Sequence, residues 1–509
     1  MSKISGSDAV WIDTAQLFET AFLNNWEESF ALEAASGKSL SHKDFFFCAL
    51  NAERALQNLE IKKGDIVCLV IQNSLHLMVL YFALLLRGAV VVPIDPAKGA
   101  EEIAAILSQL SYRCIIADAS VEKVGPSRKN VILLDSISEL FYHENNDNDP
   151  ALLSAFEGLD YDAPYLMTFT SGSTGAPKGV IHSCKNLARS AQAFSERFHF
   201  GPQNVFYHNL PMTYMAGILN SIFLPFFSGS KIVIGERFGV SGMMRFWEVP
   251  LRYGVNTFWF IPTIIALLLK LDRSEGGLQL ASRGPIVGCV GTAPLSPRMK
   301  KEFESKYGIP LFESYGLSET LFVTTNAPFG ANAEYGVGKA LRGVELDFGS
   351  DQEVYIGAPW MFLGYHNAGQ GGSMREGKFV SGDLGQLQSD GSLLITGRKK
   401  NIIKRGGITI SPESIDSFVD KLNIIEAGTV LGVVDDVFGE KNVFFYVGKP
   451  NSTRGIEHEI NARIVEHLGQ PFRIDQFVQL SELPHTINGK IDIIRLRAMY
   501  ANGDYDTKS

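Results

Sequence analysis

The sequence predicts an α/β protein built from two doubly wound β/α blocks, a run of short strands, and a small α+β segment at the C-terminal end. Three observations carry this. At 509 residues the chain is too long for one ordinary core. From residue 65 to residue 313, strand-like apolar runs alternate with helix-period segments. After about residue 331 the pattern changes to short alternating strands, and it changes again at the basic stretch that begins with Arg398.

In the first block, strands are expected at residues 65–71, 90–94 and 114–117, with helices at 75–86 and 101–110. Gly88 closes the first of these helices. The apolar run from Leu77 to Leu86 is halted by Arg87 and is too short to span a bilayer, so it reads as a buried helix. Residues 136–162 are acidic and polar and read as a surface connection. A short apolar strand at 163–169 and an amphipathic helix at 186–198 flank a Gly/Ser/Thr segment. The second block follows with strands at 205–209, 231–234, 255–260, 286–290 and 310–313. Its helices lie at 216–227, 264–271 and 297–307, and Gly254 and Gly308 cap helices just before strands. Strands at 353–356, 378–380, 385–388 and 393–396 come next, the last pair joined by the turn Ser389-Asp390-Gly391-Ser392. The composition shift at Arg398 sets a boundary between domains 1–397 and 398–509.

A net charge of −9 leaves no electrostatic footprint for nucleic acid, and no Lys/Arg run suits a membrane surface. An anionic substrate must therefore meet local positive charge. Cys48, Cys68, Cys114, Cys184 and Cys289 are scattered without metal-ligand spacing, and they read as small core residues in a reduced cytoplasm. Residues 1–19 lack a basic-then-apolar signal pattern, and no integral membrane segment is expected.

The Gly/Ser/Thr segment is Thr170-Ser171-Gly172-Ser173-Thr174-Gly175-Ala176-Pro177-Lys178-Gly179. Glycines let a backbone approach phosphate closely, N–H groups and hydroxyls donate to its oxygens, and a lysine adds mobile charge. A P-loop is excluded, because Lys178 follows proline and precedes glycine, leaving no adjacent hydroxyl for magnesium. The segment resembles the phosphate loop of the adenylate-forming superfamily, which includes acyl-CoA synthetases, stand-alone adenylation enzymes and firefly-type luciferases. Four further elements carry the resemblance through nearly the whole chain. Glu313-Ser314-Tyr315-Gly316-Leu317-Ser318-Glu319-Thr320 resembles the Tyr-Gly-x-Thr-Glu element, with serine in place of threonine. Ser381-Gly382-Asp383 is similar to Thr-Gly-Asp, and Gly397-Arg398-Lys399-Lys400 to the hinge motif. Pro484-His485-Thr486-Ile487-Asn488-Gly489-Lys490 resembles Pro-x-Thr-x-x-Gly-Lys. Gly291-Thr292-Ala293-Pro294 is similar to the loop that borders adenine and the acyl pocket.

The resemblance implies a large N-terminal domain of two doubly wound subdomains plus a distorted β-barrel, and a small mobile C-terminal lid. It implies that MgATP and a carboxylic acid form an acyl-adenylate with loss of pyrophosphate, and that a thiol then displaces AMP. By the same resemblance Thr170 to Gly175 with Lys178, Gly291, Thr292, Ala293, Glu313, Ser314, Gly316 and Ser318 would hold the nucleotide. Tyr315 would stack on adenine, Glu319 would take magnesium, and Asp383 and Arg398 would hold ribose. Lys490 would reach the substrate carboxylate and the α-phosphate. Lys400 would be the hinge, and Lys404, Gly406 and Gly407 would line the thiol's path.

His208, Asn209, Tyr214, Gly217, Phe260 and Gly288 are expected around the acid. His208-Asn209 is similar to a pair found in aryl-acid activators, Tyr214 departs from the family's usual histidine, and no aspartate is placed to hold an α-amine. An apolar, aromatic lining with glycines leaving room fits a fatty or aryl acid. The acceptor is a separate molecule: CoA by this reading, or the phosphopantetheine of a free carrier protein as the alternative. Luciferase-like oxidation and non-catalytic nucleotide binding remain as other classes.

Overall fold

The computed structural model describes residues 11–118, 130–142, 155–170, 177–328, 336–366, 374–405, 408–449, 455–486 and 490–505. Among these the first block is a seven-stranded sheet and the second a nine-stranded sheet. In the first, Ile66–Val70, Val90–Pro93, Cys114–Ala117, Val131–Leu133 and Pro164–Thr170 run parallel. In the second, Ser29–Glu33, Lys231–Ile234, Val205–His208, Thr257–Phe260, Val287–Val290 and Leu311–Leu317 do so. Antiparallel strands extend the seven-stranded sheet at one edge and the nine-stranded sheet at both, where Ser39–Ser41 closes the far side, and the edges at Lys178–Ser183 and Leu321–Thr325 build the candidate site.

The helix Leu75–Arg87 is apolar on every side and so can only be buried. It starts at Ser74, whose side chain accepts from the Leu77 N–H, and it stops at Gly88 in the left-handed conformation, φ 66°. It belongs to one hydrophobic core that draws residues from both sheets. Polar ties complete the joint: the Tyr81 hydroxyl donates to the Met212 carbonyl at 2.6 Å, and Asn73 pairs with the backbone of Leu210 and Met212. Arg237 closes the far end with a bidentate pair to Asp95, at 2.6 and 2.8 Å.

The structure corrects four expectations. The segment after the phosphate loop is not a direct run into a helix, because Lys178–Ser183 forms a strand antiparallel to Pro164–Thr170 before the helix Cys184–Phe198 begins. The loop therefore connects a hairpin. Residues 378–388 are one strand, Lys378–Leu387, kinked at Gly382 (φ 72°) rather than broken there. The helix expected at 216–227 is composite. Pro225 has no N–H to donate, and a π turn, Leu219–Phe223, precedes it. Finally, the acidic connection begins with a helix, Asp135–Phe141, and Phe156 and Tyr161 are buried.

An antiparallel sheet of Glu345–Phe348, Glu353–Gly357, Lys378–Leu387, Met374–Arg375 and Leu393–Arg398 supplies the half-barrel. Beyond it a separate five-stranded sheet carries its own apolar core around Ile403, Ile415, Phe444 and Ile464. All five cysteines are buried thiols, and burial pushes Cys48 up to about 12 and Cys114 to about 11. No helix among the described residues is long and apolar enough to cross a membrane.

Candidate active site

Residues Ser171 to Ala176 lie outside the described residues, as do Gly406 and Gly407. The strands on either side of the expected phosphate loop pair as a hairpin, with Thr170 opposite Lys178. Gly179 is tightly placed, since a Cβ would lie 3.1 Å from both His366 and Met167. Beside it runs Gly364–Tyr365, a two-residue strand paired with Val180 and Ile181. Tyr365 is the functional candidate that sequence reasoning missed. Its ring lies 5.6 Å from the Lys178 ammonium, and its hydroxyl donates to Glu319 Oε1 at 2.7 Å. One tyrosine thus sets the expected phosphate lysine and the expected metal carboxylate beside each other. Burial and the Glu319 charge both push its phenol above the ordinary range, so it stays a donor.

The Glu319 segment is held from below by His182. Its imidazole is buried and drawn down to about 4, hence neutral, and Nε2 lies 2.7 Å from the Ser318 carbonyl. A carbonyl accepts only, so Nε2 carries the proton. Phenylalanine in place of Tyr365 removes the hydrogen bond that orients Glu319 and keeps the ring. Tyr365→Phe is expected to raise the magnesium requirement and lower acyl-adenylate formation by about 10–100-fold, read as pyrophosphate release against a magnesium titration.

The second half of the site centres on Asp383, which is 2% exposed. The Tyr315 hydroxyl donates to its Oδ2 and Arg398 Nε lies against Oδ1, both at 2.6 Å. Arg398 sits opposite Asp383 in register across neighbouring strands, so the pairing follows from sheet geometry. Ser381 receives the Asp383 N–H on its Oγ at 3.0 Å and fixes the kinked backbone. Each carboxylate oxygen keeps one lone pair, enough to accept two further donors.

Of the other nucleotide candidates, Ser314 donates to the Val290 carbonyl at 3.0 Å. Glu313 faces Lys300 at 3.4 Å, its carboxyl pushed up by burial and pulled back by that lysine. Thr292 is unusual. It holds φ 72°, a conformation that costs a β-branched residue energy, and its Oγ1 is buried without a partner among the described residues. Gly291 lies beside it, where a Cβ would stand 3.2 Å from Ser314 Oγ.

Cations from both parts of the chain surround Asp383. The Lys490 ammonium is depressed by burial first, then by Arg398 and Lys400, while Asp383 raises it. Lys400 is likewise depressed, by burial, Arg398 and Lys178. Lys490 is exposed, and its ammonium feels Arg398, Asp383 and Lys400. Arg398 pairs directly with Asp383, and Lys178, Lys400 and Lys490 add positive charge around that pair, on a chain of net charge −9. Lys399 ties the turn at 399–401 to Asp351 and Glu353, at 2.8 and 2.7 Å. The backbone N–H of Lys404 donates to Glu440 at 2.6 Å.

On the acid side the structure brings His208 and Asn209 into the interior together. Both His208 ring nitrogens lack partners among the described residues, and burial draws the imidazole to about 3, so it is neutral. Tyr214 begins the next helix, and its phenol is raised by burial against the opposing pull of Arg237. The expectation that Gly288 leaves room for the acid is corrected, because a Cβ there would fall 2.8 Å from the Pro310 carbonyl and close backbone approach requires glycine. Gly217 is crowded too, where a Cβ would fall 1.8 Å from the Pro211 carbonyl. Phe260 is 1% exposed and packs on Phe258 and Phe303, in the core.

Among the described residues no cluster of three or more metal-ligating side chains exists. Magnesium suits the site nonetheless, because it commonly takes one or two carboxylates together with substrate phosphates and water.

The family model described as AMP-binding enzyme matches residues 18–366, and the AMP-binding enzyme C-terminal domain matches residues 415–490. The chain is 27% identical to oxalate–CoA ligase of Arabidopsis thaliana, over 86% of this chain and 89% of that protein. It is 27% identical to 2-succinylbenzoate–CoA ligase of Listeria monocytogenes, over 87% and 91%. Its fold matches the crystal structure of ATP-bound MatB from Rhodopseudomonas palustris with a TM-score of 0.82 at 23% identity, covering 96% of this chain and 99% of that one.

Proposed function

This chain belongs to the AMP-binding enzyme family, and we propose that it is an ATP-dependent acid–thiol ligase that activates a carboxylic acid as its acyl-adenylate and transfers the acyl group to CoA. The observation that carries this is the group of cations that both parts of the chain contribute around the Asp383–Arg398 pair, Lys178 from 1–397 and Arg398, Lys400 and Lys490 from 398–509. Bringing a carboxylate to a triphosphate means bringing an anion to a polyanion. Fixed cations lower that repulsion most where charge accumulates, on the five-coordinate phosphorus. No protein nucleophile is needed.

A carboxylate oxygen attacks the α-phosphorus, and the bond to the bridging oxygen breaks with release of pyrophosphate. The CoA sulfur then attacks the acyl carbon, AMP leaves, and the thiol proton passes to solvent. In this reading Lys178 and Lys490 hold phosphate and carboxylate oxygens, Asp383 and Arg398 hold ribose, and Tyr315 borders adenine. Thr170, Ser171 to Gly175, Gly291 to Ala293 and Ser318 complete the nucleotide contacts. Magnesium on Glu319 would neutralise charge on the departing pyrophosphate. Domains 1–397 and 398–509 move relative to each other about Lys400, which lets Lys490 leave and the thiol enter past Lys404. The free, buried cysteines suit a cytoplasmic enzyme.

The acid is read as an aryl or fatty carboxylate. His208 and Asn209 offer neutral donors and acceptors to a substituent within an otherwise apolar wall. CoA is favoured over a carrier protein because the relatives compared above are CoA ligases. Pyrophosphate release across a panel of organic acids tests the adenylation step, and adding CoA or a phosphopantetheinylated carrier identifies the thiol. No ATP consumption with any acid would overturn the reading.

The pH dependence has a defined sign. The Lys490 pKa lies below the ordinary value of 10.5, so the ammonium is present below that depressed pKa and is lost as pH rises through it. Acyl-adenylate formation is therefore expected to fall on an alkaline limb centred below 10.5 in a pH–rate profile. A limb at or above the ordinary lysine value would contradict the placement of Lys490.

A further inference from the structure

The two lobes also meet away from Asp383, through charge. Arg298, the second residue of the helix Pro297–Tyr307, reaches the helix Pro412–Leu422 of the C-terminal part. Its Nε and Nη2 lie 3.2 and 3.1 Å from Asp420 Oδ1, and Nη2 also donates to the Glu426 carbonyl at 3.3 Å. Lys270 adds a pair to the Glu426 carboxylate at 2.6 Å. We propose that Arg298 is a positioning residue for acyl-adenylate formation: its pair with Asp420 latches the C-terminal lobe in the orientation that presents Lys490. This rests on the two-step reaction proposed above.

Three features make the contact a latch rather than a permanent joint. Arg298 and Asp420 side chains are each 21% exposed, shielded enough to feel each other yet within reach of water. Asp420 uses only one oxygen. Its Oδ2 is buried without a partner among the described residues, so undocking returns water to a carboxylate that docking has stripped. Glu302 lies one turn along the same helix, 3.3 Å from Arg298 Nη1. Arg298 thus holds Asp420 and Glu302 together in this orientation, and when the lobe swings away it keeps Glu302 and is never left alone. Glu302 thereby sets how readily the guanidinium lets go of Asp420.

The test is a charge swap in the full chain, with two readouts. Arg398 and Lys399 in the hinge are nearly half exposed, so trypsin cleavage there, followed by fragment mass, reports loosening of the lobes without any substrate. Arg298→Glu and Asp420→Arg are each expected to speed that cleavage, and to lower pyrophosphate release by about 5–10-fold, while the double variant recovers most of both. Thioester formation from CoA and pre-formed acyl-AMP, made from the best acid of the panel, should be unchanged or faster in the single variants. Glu302→Gln should act in the opposite sense, leaving adenylation intact and slowing thioester formation. Cleavage and adenylation that stay at the native level, equal loss in both half-reactions, or a double variant no better than the worse single one would each overturn the latch. Should the native chain form no acyl-adenylate at all, the functional reading fails, and the cleavage series still judges the contact by itself.

Discussion

Replacing Lys490 by alanine will lower acyl-adenylate formation by about 10²–10³-fold and leave thioester formation from supplied acyl-AMP nearly unchanged. The first half follows from where the ammonium sits. It joins a region that already carries Arg398 and Lys400, and its own pKa is depressed by burial first and then by those two cations. A cation held there against burial and repulsion is stabilised most when a negatively charged substrate arrives, and more still when charge builds at the phosphorus. The second half follows from topology. Lys490 is carried by the lobe with its own sheet and core, while Asp383 and Tyr315 belong to the other. Once the adenylate exists, the lobe that brought the lysine has only to move off. Separate assays of pyrophosphate release and of CoA addition to acyl-AMP measure the two halves. Equal loss in both would show Lys490 acting as a structural residue.

What the sequence disclosed and what it hid divide along the range of the interactions. The helix Leu75–Arg87 was legible because its signals are local: an unbroken apolar run and a terminal glycine. Lys178, Glu319, Asp383 and Lys490 could be singled out because each sits in a motif, and the roles given to them are proposals. The strand Lys178–Ser183 was missed because it passes straight into a helix, with Ser183 serving as that helix's cap and no turn residue between them. Tyr365 had no local signal of any kind. Its two-residue strand exists only because Val180 and Ile181 accept it from far along the chain. Gly288 shows the converse error. A glycine reads alike whether it clears space for a ligand or for a carbonyl, and only the 2.8 Å approach to Pro310 decides between them. The Arg298–Asp420 pair joins two lobes and could not be read from either one.

Asp383→Ala is expected to raise the ATP concentration needed for half-maximal rate by about 10–100-fold, with a change in the acid requirement of less than about threefold. Asp383 binds Arg398 and Tyr315 with one oxygen each and keeps two lone pairs for ribose hydroxyls. Alanine removes those acceptors and also leaves the Tyr315 hydroxyl and the Arg398 guanidinium without the partner that orients them. Arg398 is 41% exposed and can turn to water, which limits the loss of fold stability and keeps the variant assayable. The same substitution carries a second signature. Asp383 is the one group that raises the Lys490 pKa against burial, Arg398 and Lys400. Without it the ammonium becomes harder to keep, its pKa falls further, and the alkaline limb of acyl-adenylate formation moves to lower pH. Asparagine at 383 keeps the shape without the charge, so it should restore part of the ATP affinity and none of the limb position. An alkaline limb that stays put in both variants would mean that Asp383 and Lys490 do not meet across the cleft.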